Sequence, residues 1–239
     1  MPARAALVTG GSSGIGLAIA RALGEDGYAI TVSARRPEKL ESAADEMRQA
    51  GLEVESVPAN MAREEDIVAL VERHRERFGR LDGLVKNAGV VVGGAIAEAE
   101  TKKLDMQLDV NLRAVYLTTR ECIPLLKEAG REHGKALVVN TASIAGKHGQ
   151  GWLAAYSATK FGVVGFTQAL HKEHGTDGIQ ATALCPGFVD TPMTGWLEGV
   201  GKDELIRPED IAECVRFLLR TSPACIVPEV QFIRPGESV

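Results

Sequence analysis

The chain has 239 residues, 45% hydrophobic and 25% charged, with 26 Gly and 10 Pro, which excludes collagen-like, disordered and coiled-coil classes. Its length is that of one large domain able to bury a core without disulfides or metals. A net charge of −5, with basic residues scattered and not gathered in a stripe, argues against a nucleic-acid partner.

The first predicted strand covers residues 5–8. It runs directly into Thr9-Gly10-Gly11-Ser12-Ser13-Gly14-Ile15-Gly16, and a helix begins at about residue 14. A glycine-rich turn between a strand and a helix lets backbone N–H groups and the helix dipole meet a pyrophosphate, so this turn is a candidate dinucleotide site. A second strand, 29–34, ends in Ser33-Ala34-Arg35-Arg36. An acidic residue there would accept from the ribose 2′-OH of NAD. Two guanidiniums favour a 2′-phosphate instead, which predicts NADP(H) with Arg35 and Arg36 as its ligands.

A helix at 38–49, a strand at 53–57, a helix at 64–78 and a strand at 83–85 continue the alternation. After them come helices at 103–127, 154–174 and 208–219, and strands at 135–140, 179–184 and 230–233. This rhythm predicts one doubly wound, Rossmann-like α/β domain with a roughly seven-stranded parallel sheet, without linker or repeat. The 154–174 helix carries Ala158, Phe161, Val163, Val164, Phe166, Ala169 and Leu170 around most of its circumference. It is therefore sandwiched inside the monomer or packed on a partner subunit. No apolar run reaches the ~20 residues of a membrane helix, and the chain starts on a strand pattern, so a cytoplasmic protein without membrane contact is expected. Cys122, Cys185, Cys214 and Cys225 form no CxxC pair and have no His at ligand spacing. No metal is expected, and the thiols are expected to be buried and reduced.

Tyr156 and Lys160 stand at i and i+4 on a predicted helix and so share one face. Together with Thr9–Gly16, Lys86-Asn87-Ala88-Gly89, Asn111, Ser143 and Pro186-Gly187, in this order and spacing, they make the chain resemble the short-chain dehydrogenase/reductase family from about residue 5 to 235. The resemblance implies that Tyr156 donates the proton to a carbonyl oxygen that gains negative charge, and that Ser143 holds that oxygen. Thr141 lies close by, but the family's spacing to the tyrosine selects Ser143. Lys160 would favour the phenolate and bind the nicotinamide ribose. The backbone carbonyl of Asn111 would hold a water that links Lys160 to solvent. For the cofactor, the resemblance implies Asn60 and Met61 at the adenine and Asn87-Ala88-Gly89 along its ribose. Pro186, Gly187, Val189 and Thr191 would lie against the nicotinamide, with transfer of the pro-S hydride.

The family usually carries Asn where this chain has Lys86, so a side-chain tie on the central strand is lost or replaced. Residues 192–207, with Trp196 and the glycines Gly195, Gly199 and Gly201, are expected to form a short mobile lid over the substrate. The C-terminal stretch from Val227 to Pro235 lacks the family's common Gly-Gly ending and resembles a branch that includes oxidoreductases of small hydroxy acids and carbonyls.

The leading expectation is an NADP(H)-dependent carbonyl reductase or alcohol dehydrogenase acting on a small substrate. It would be a homo-oligomer, a tetramer by family habit or else a dimer. A 3-oxoacyl-[acyl carrier protein] reductase is the alternative enzyme, although Lys202 and Arg207 face Glu198, Asp203 and Glu204 in the same lid. A noncatalytic NADPH-binding sensor is the alternative of another class.

Overall fold

The computed structural model describes residues 4–195 and 200–236. Trp196, Glu198 and Gly199 of the expected lid lie outside this range, as does the Lys202 side chain. The sheet has seven strands in the order β3-β2-β1-β4-β5-β6-β7, all parallel. They are β1 (Ala5–Thr9), β2 (Ala29–Ala34), β3 (Val54–Pro58), β4 (Gly83–Lys86), β5 (Ala136–Thr141), β6 (Ile179–Pro186) and β7 (Glu229–Phe232). The doubly wound expectation holds, strand for strand.

Helices α1 (Gly14–Glu25), α2 (Pro37–Gln49) and α7 (Pro208–Arg220) cover one face. Helices α3 (Glu64–Phe78), α5 (Ala114–His133) and α6 (Ala154–His174) cover the other. Because successive side chains of a strand point to opposite faces, β1 sends Ala6 and Val8 into the first core and Leu7 into the second. Such strands are apolar on both faces, which is why they read as continuous apolar runs.

The expected helix at 103–127 is divided in the structure. Helix α4 (Thr101–Leu108) passes through a π-turn at Asp109–Arg113 into α5, and the N–H of Ala114 donates to the Asp109 carbonyl. A π-turn inserts one extra residue and disturbs the i→i+4 ladder; no periodicity in the sequence announces it. The turn holds Asn111, which is 1% exposed.

Helix α6 is not sandwiched. One side packs Val163, Val164 and Leu170 into the cores, while Phe161 is 47% exposed on the other. The thiols also depart from expectation: Cys122 and Cys185 are buried, Cys214 is half-buried and Cys225 is exposed.

Lys86 replaces the tie that the usual Asn would make. Its ammonium, buried at the end of β4, donates to the Val115 carbonyl at 3.2 Å and to Thr119 Oγ1, and lies 5.2 Å from the centre of the Phe166 ring. No carboxylate among the described residues pairs with it, and burial pushes its pKa down to about 7.

Candidate active site

All seven strands run the same way, so the loops that follow them converge at one edge of the sheet, where α/β proteins bind ligands. A cleft of about 720 Å³ lies there. Its wall holds fifteen of the expected site residues: Gly10, Ser12, Ser13, Gly14, Ile15, Asn87, Ala88, Gly89, Ser143, Tyr156, Lys160, Pro186, Gly187, Val189 and Thr191. Gly16, Arg35, Arg36, Asn60, Met61 and Asn111 do not line it. Arg35 and Arg36 are exposed just past β2, and Asn60 and Met61 follow the neighbouring β3, which puts all four beyond the glycine-loop end of the cleft.

The glycine loop is locked by its surroundings. Gly10 has φ +69°, and a Cβ there would stand only 2.9 Å from the backbone N of Ala88; a side chain on Gly16 would collide with the Gly10 carbonyl. Thr9 Oγ1 accepts from the N–H groups of Asn87 at 3.1 Å and Ala88 at 3.2 Å, fastening the loop after β4 to the glycine turn. Ser13, the N-cap of α1, makes no side-chain cap, and the first turn holds no acidic residue. The N-terminus of α1 is thus left to bind an anion.

At the other end, α6 carries Tyr156 and Lys160 on the face turned to the cleft. The Lys160 ammonium donates to the Thr141 carbonyl at 2.8 Å and lies 5.4 Å from the centre of the Tyr156 ring. Ser143 caps a short 3-10 turn, Ile144–Gly146: its Oγ accepts from Ala145 N–H at 3.1 Å and donates to the Pro186 carbonyl at 3.4 Å. Asn111 is outside the cleft wall but tied to it. Its Oδ1 accepts from Val90 N–H and its Nδ2 donates to the Val90 carbonyl, both at 2.8 Å, with a further donation to Thr159 Oγ1 at 3.2 Å.

The electrostatics differ from the simple expectation that Lys160 lowers the phenol pKa. Burial raises the pKa of Tyr156, and a hydrogen bond with Ser143 opposes this only in part. Burial also lowers Lys160 to about 8. Both shifts have one cause, since removing water disfavours the charged form of either group. The phenol therefore keeps its proton through the neutral range, as a donor must.

Two buried hydroxyls without partners bear on a cofactor's fit. Thr141 Oγ1 lines the cleft, and Ser33 Oγ sits at the end of β2 before the two arginines. Buried polar atoms of this kind ordinarily find a partner, so the cleft and the end of β2 are suited to a bound polar molecule. Among the described residues, no group of His, Cys, Asp and Glu could hold a metal.

Trp152 was not legible as a site residue. It lines the cleft with its ring laid on Gly93, and is the only described non-glycine residue with positive φ, +68°. Strain of this kind gathers at functional sites, but the sequence shows only a loop rich in glycine there. Met193 and Arg234 were also missed and line a neighbouring cavity that shares Ser143 and Tyr156.

The model of the short chain dehydrogenase family matches residues 4–198. The chain belongs to this family. It is accordingly an oxidoreductase acting on CH–OH and carbonyl groups. Among its relatives is a provisionally named ketoacyl reductase of Streptomyces coelicolor, 39% identical, with 94% of this chain and 93% of that protein covered. The 3-ketoacyl-(acyl-carrier-protein) reductase from Brucella melitensis, solved with NADH, superposes with a TM-score of 0.89 at 30% identity over 100% of this chain and 99% of its own. An alcohol dehydrogenase from the archaeon Thermococcus sibiricus, complexed with 5-hydroxy-NADP, gives 0.87 at 32% identity over 97% and 96% of the two chains. The actinorhodin polyketide ketoreductase, as a variant with NADPH, gives 0.85 at 37% identity over 95% of each. No helix among the described residues is long and apolar enough to cross a membrane.

Proposed function

We infer that this short-chain dehydrogenase interconverts a carbonyl and a secondary alcohol of a small molecule with NADP(H). The observation that carries the reading is the meeting of Ser143, Tyr156 and Lys160 at one end of a cleft whose other end is the glycine loop. When bound, the reduced nicotinamide supplies a hydride, of pro-S stereochemistry by family resemblance, to the carbonyl carbon. Ser143 orients the carbonyl oxygen, and Tyr156 gives it a proton as the C=O bond becomes CH–OH. Lys160 holds the nicotinamide ribose and replenishes the proton through a water on the Asn111 carbonyl. The disturbed ladder of the π-turn supports that role for Asn111.

Preference for the 2′-phosphate is supported by Arg35 and Arg36, which are exposed and form no ion pair with described residues. Side-by-side fluorescence titration with NADPH and NADH tests it. Tighter NADPH binding by about tenfold or more supports the arginine site, and equal binding removes it.

The whole chain would act as one cofactor-binding domain, with residues 192–207 as its lid. Tyr116 and Phe161, 58% and 47% exposed on α5 and α6, with Leu104 and Leu108 exposed on α4, are apolar groups suited to contact with a second copy. A homotetramer, or a dimer, follows as the proposal, and light scattering of the eluting protein tests it. Free thiols suit a cytoplasmic setting.

The names of the relatives favour a second reading, reduction of a 3-oxoacyl group on a carrier protein. Arg207 is held by Asp210 at 2.9 Å, which weakens it as a docking site for an acidic carrier. Competition by acyl carrier protein against a small carbonyl separates the two readings.

A further inference from the structure

Trp152 stands in the wall of the cleft that also holds Ser143 and Tyr156, yet it is 65% exposed. A large aromatic side chain open to water in a concave wall forgoes apolar burial that a bound molecule restores. The protein nevertheless fixes where this ring lies. The turn at 150–153 is bolted to the start of α6, because Gln150 N–H donates to Ser157 Oγ at 3.1 Å and Leu153 N–H to the Gln150 carbonyl at 3.2 Å. The Trp152 carbonyl accepts from Gly94 N–H at 2.8 Å. A Cβ on Gly93 would collide with Cε3 and Cζ3 of the indole, so the six-membered side of the ring is seated where a glycine leaves room for it.

The backbone of Trp152 is left-handed, with φ +68°, which a bulky residue adopts only where its surroundings hold it there. The bond from Gly94 and the seat on Gly93 are those surroundings, and they keep the ring four positions before Tyr156 in the same wall. Among the described residues, no aromatic ring or cation stacks on the indole. Val91, Leu153 and Met193 add apolar groups to the wall. Met193 is itself 41% exposed, and a thioether favours contact with an aromatic ring.

We propose that Trp152 is a specificity-determining residue whose indole packs on the aromatic ring of an aryl ketone, and of the corresponding benzylic alcohol, while the carbonyl oxygen lies at Ser143 and Tyr156. The inference rests on the carbonyl-reductase reading of that site and narrows its substrate class. Offset-stacked or edge-to-face ring pairs gain more than their buried area alone provides, which a puckered aliphatic ring of equal size does not match.

The test uses the full chain with NADPH, acetophenone and cyclohexyl methyl ketone. Trp152→Leu should lower the kcat/KM of acetophenone relative to that of the cyclohexyl ketone by about fivefold, chiefly through KM, and Trp152→Phe should restore most of the ratio. Comparing each variant with the wild type cancels the unequal intrinsic reactivity of the two ketones. A ratio unmoved by Trp152→Leu, or lowered as far by Trp152→Phe, overturns the assignment. A binding measurement stands apart from turnover: saturation-transfer NMR of benzamide and cyclohexanecarboxamide on the enzyme with NADP+. Benzamide bound in preference, with the preference lost in Trp152→Leu, upholds the aromatic site even if neither ketone is reduced, in which case the reductase reading alone fails. Equal binding of the two amides, or a preference indifferent to Trp152→Leu, overturns the site whatever the enzyme reduces.

Discussion

The Asn111 side chain grips the backbone of Val90 from both sides, accepting from its N–H and donating to its carbonyl, each at 2.8 Å. The π-turn is thereby bolted to the wall of the cleft, because Val90 lines it. Asn111→Leu strands both backbone groups and should cost about 2 kcal/mol of stability, measured by urea denaturation. If the Asn111 carbonyl relays protons, turnover at a temperature where the variant is folded should also fall about tenfold or more. Full turnover in the folded variant would show that the relay does not depend on the side chain's grip on Val90.

Tyr156→Phe keeps the ring and removes the proton donor. Turnover should drop by about 10³-fold while NADPH still binds, as read by nicotinamide fluorescence. In the wild type, carbonyl reduction should decline as pH rises through about 8, where Lys160 loses its proton and its charge beside the phenol. A rate profile flat from pH 7 to 9.5 would separate Lys160 from the proton transfer.

Lys86 is charged in the unfolded chain up to about pH 10.4, but in the fold only up to about 7. The folded state therefore carries the burial penalty in full below pH 7, and stability rises with pH between the two values because the unfolded chain binds the extra proton. Lys86→Met removes the penalty. Its melting temperature at pH 6.5 should exceed that of the wild type by about 5 °C, with the gap narrowing towards pH 10. A variant less stable at pH 6.5 would show that the bonds to Val115 and Thr119 outweigh the buried charge.

His74 titrates in the acid range. Its ring spans the core from Thr31 Oγ1, 2.7 Å from Nδ1, to the Arg80 carbonyl, which accepts from Nε2–H at 2.9 Å. Burial lowers its pKa to about 4. The imidazole folds neutral, so its stabilisation is present above about pH 6.5 and is lost as pH falls towards 4, on the order of 3 kcal/mol in all. Denaturation curves of His74→Gln from pH 7 to 4 should show a shallower loss than those of the wild type.

The fold was legible because its determinants are local. Apolar strands alternating with amphipathic helices specify a parallel sheet, and the turn from Thr9 to Gly16 needs only its own glycines to be read. Tyr156 and Lys160 were legible for the same reason, since helical spacing alone puts them on one face. The glycine loop, the strand ends and the Tyr-Lys helix met at one edge because every strand runs the same way, a consequence of the alternation itself.

What required the tertiary structure was whatever depends on neighbours distant in sequence. The π-turn at Asn111 is held by Val90, 21 positions away. Burial, a property of packing, raised Tyr156, lowered Lys160 and left Lys86 without a counter-charge. Trp152 came to the cleft wall only when its ring was laid across Gly93. Residue types and spacings thus determined the fold and the candidate reacting groups, whereas desolvation and long-range packing decided their protonation.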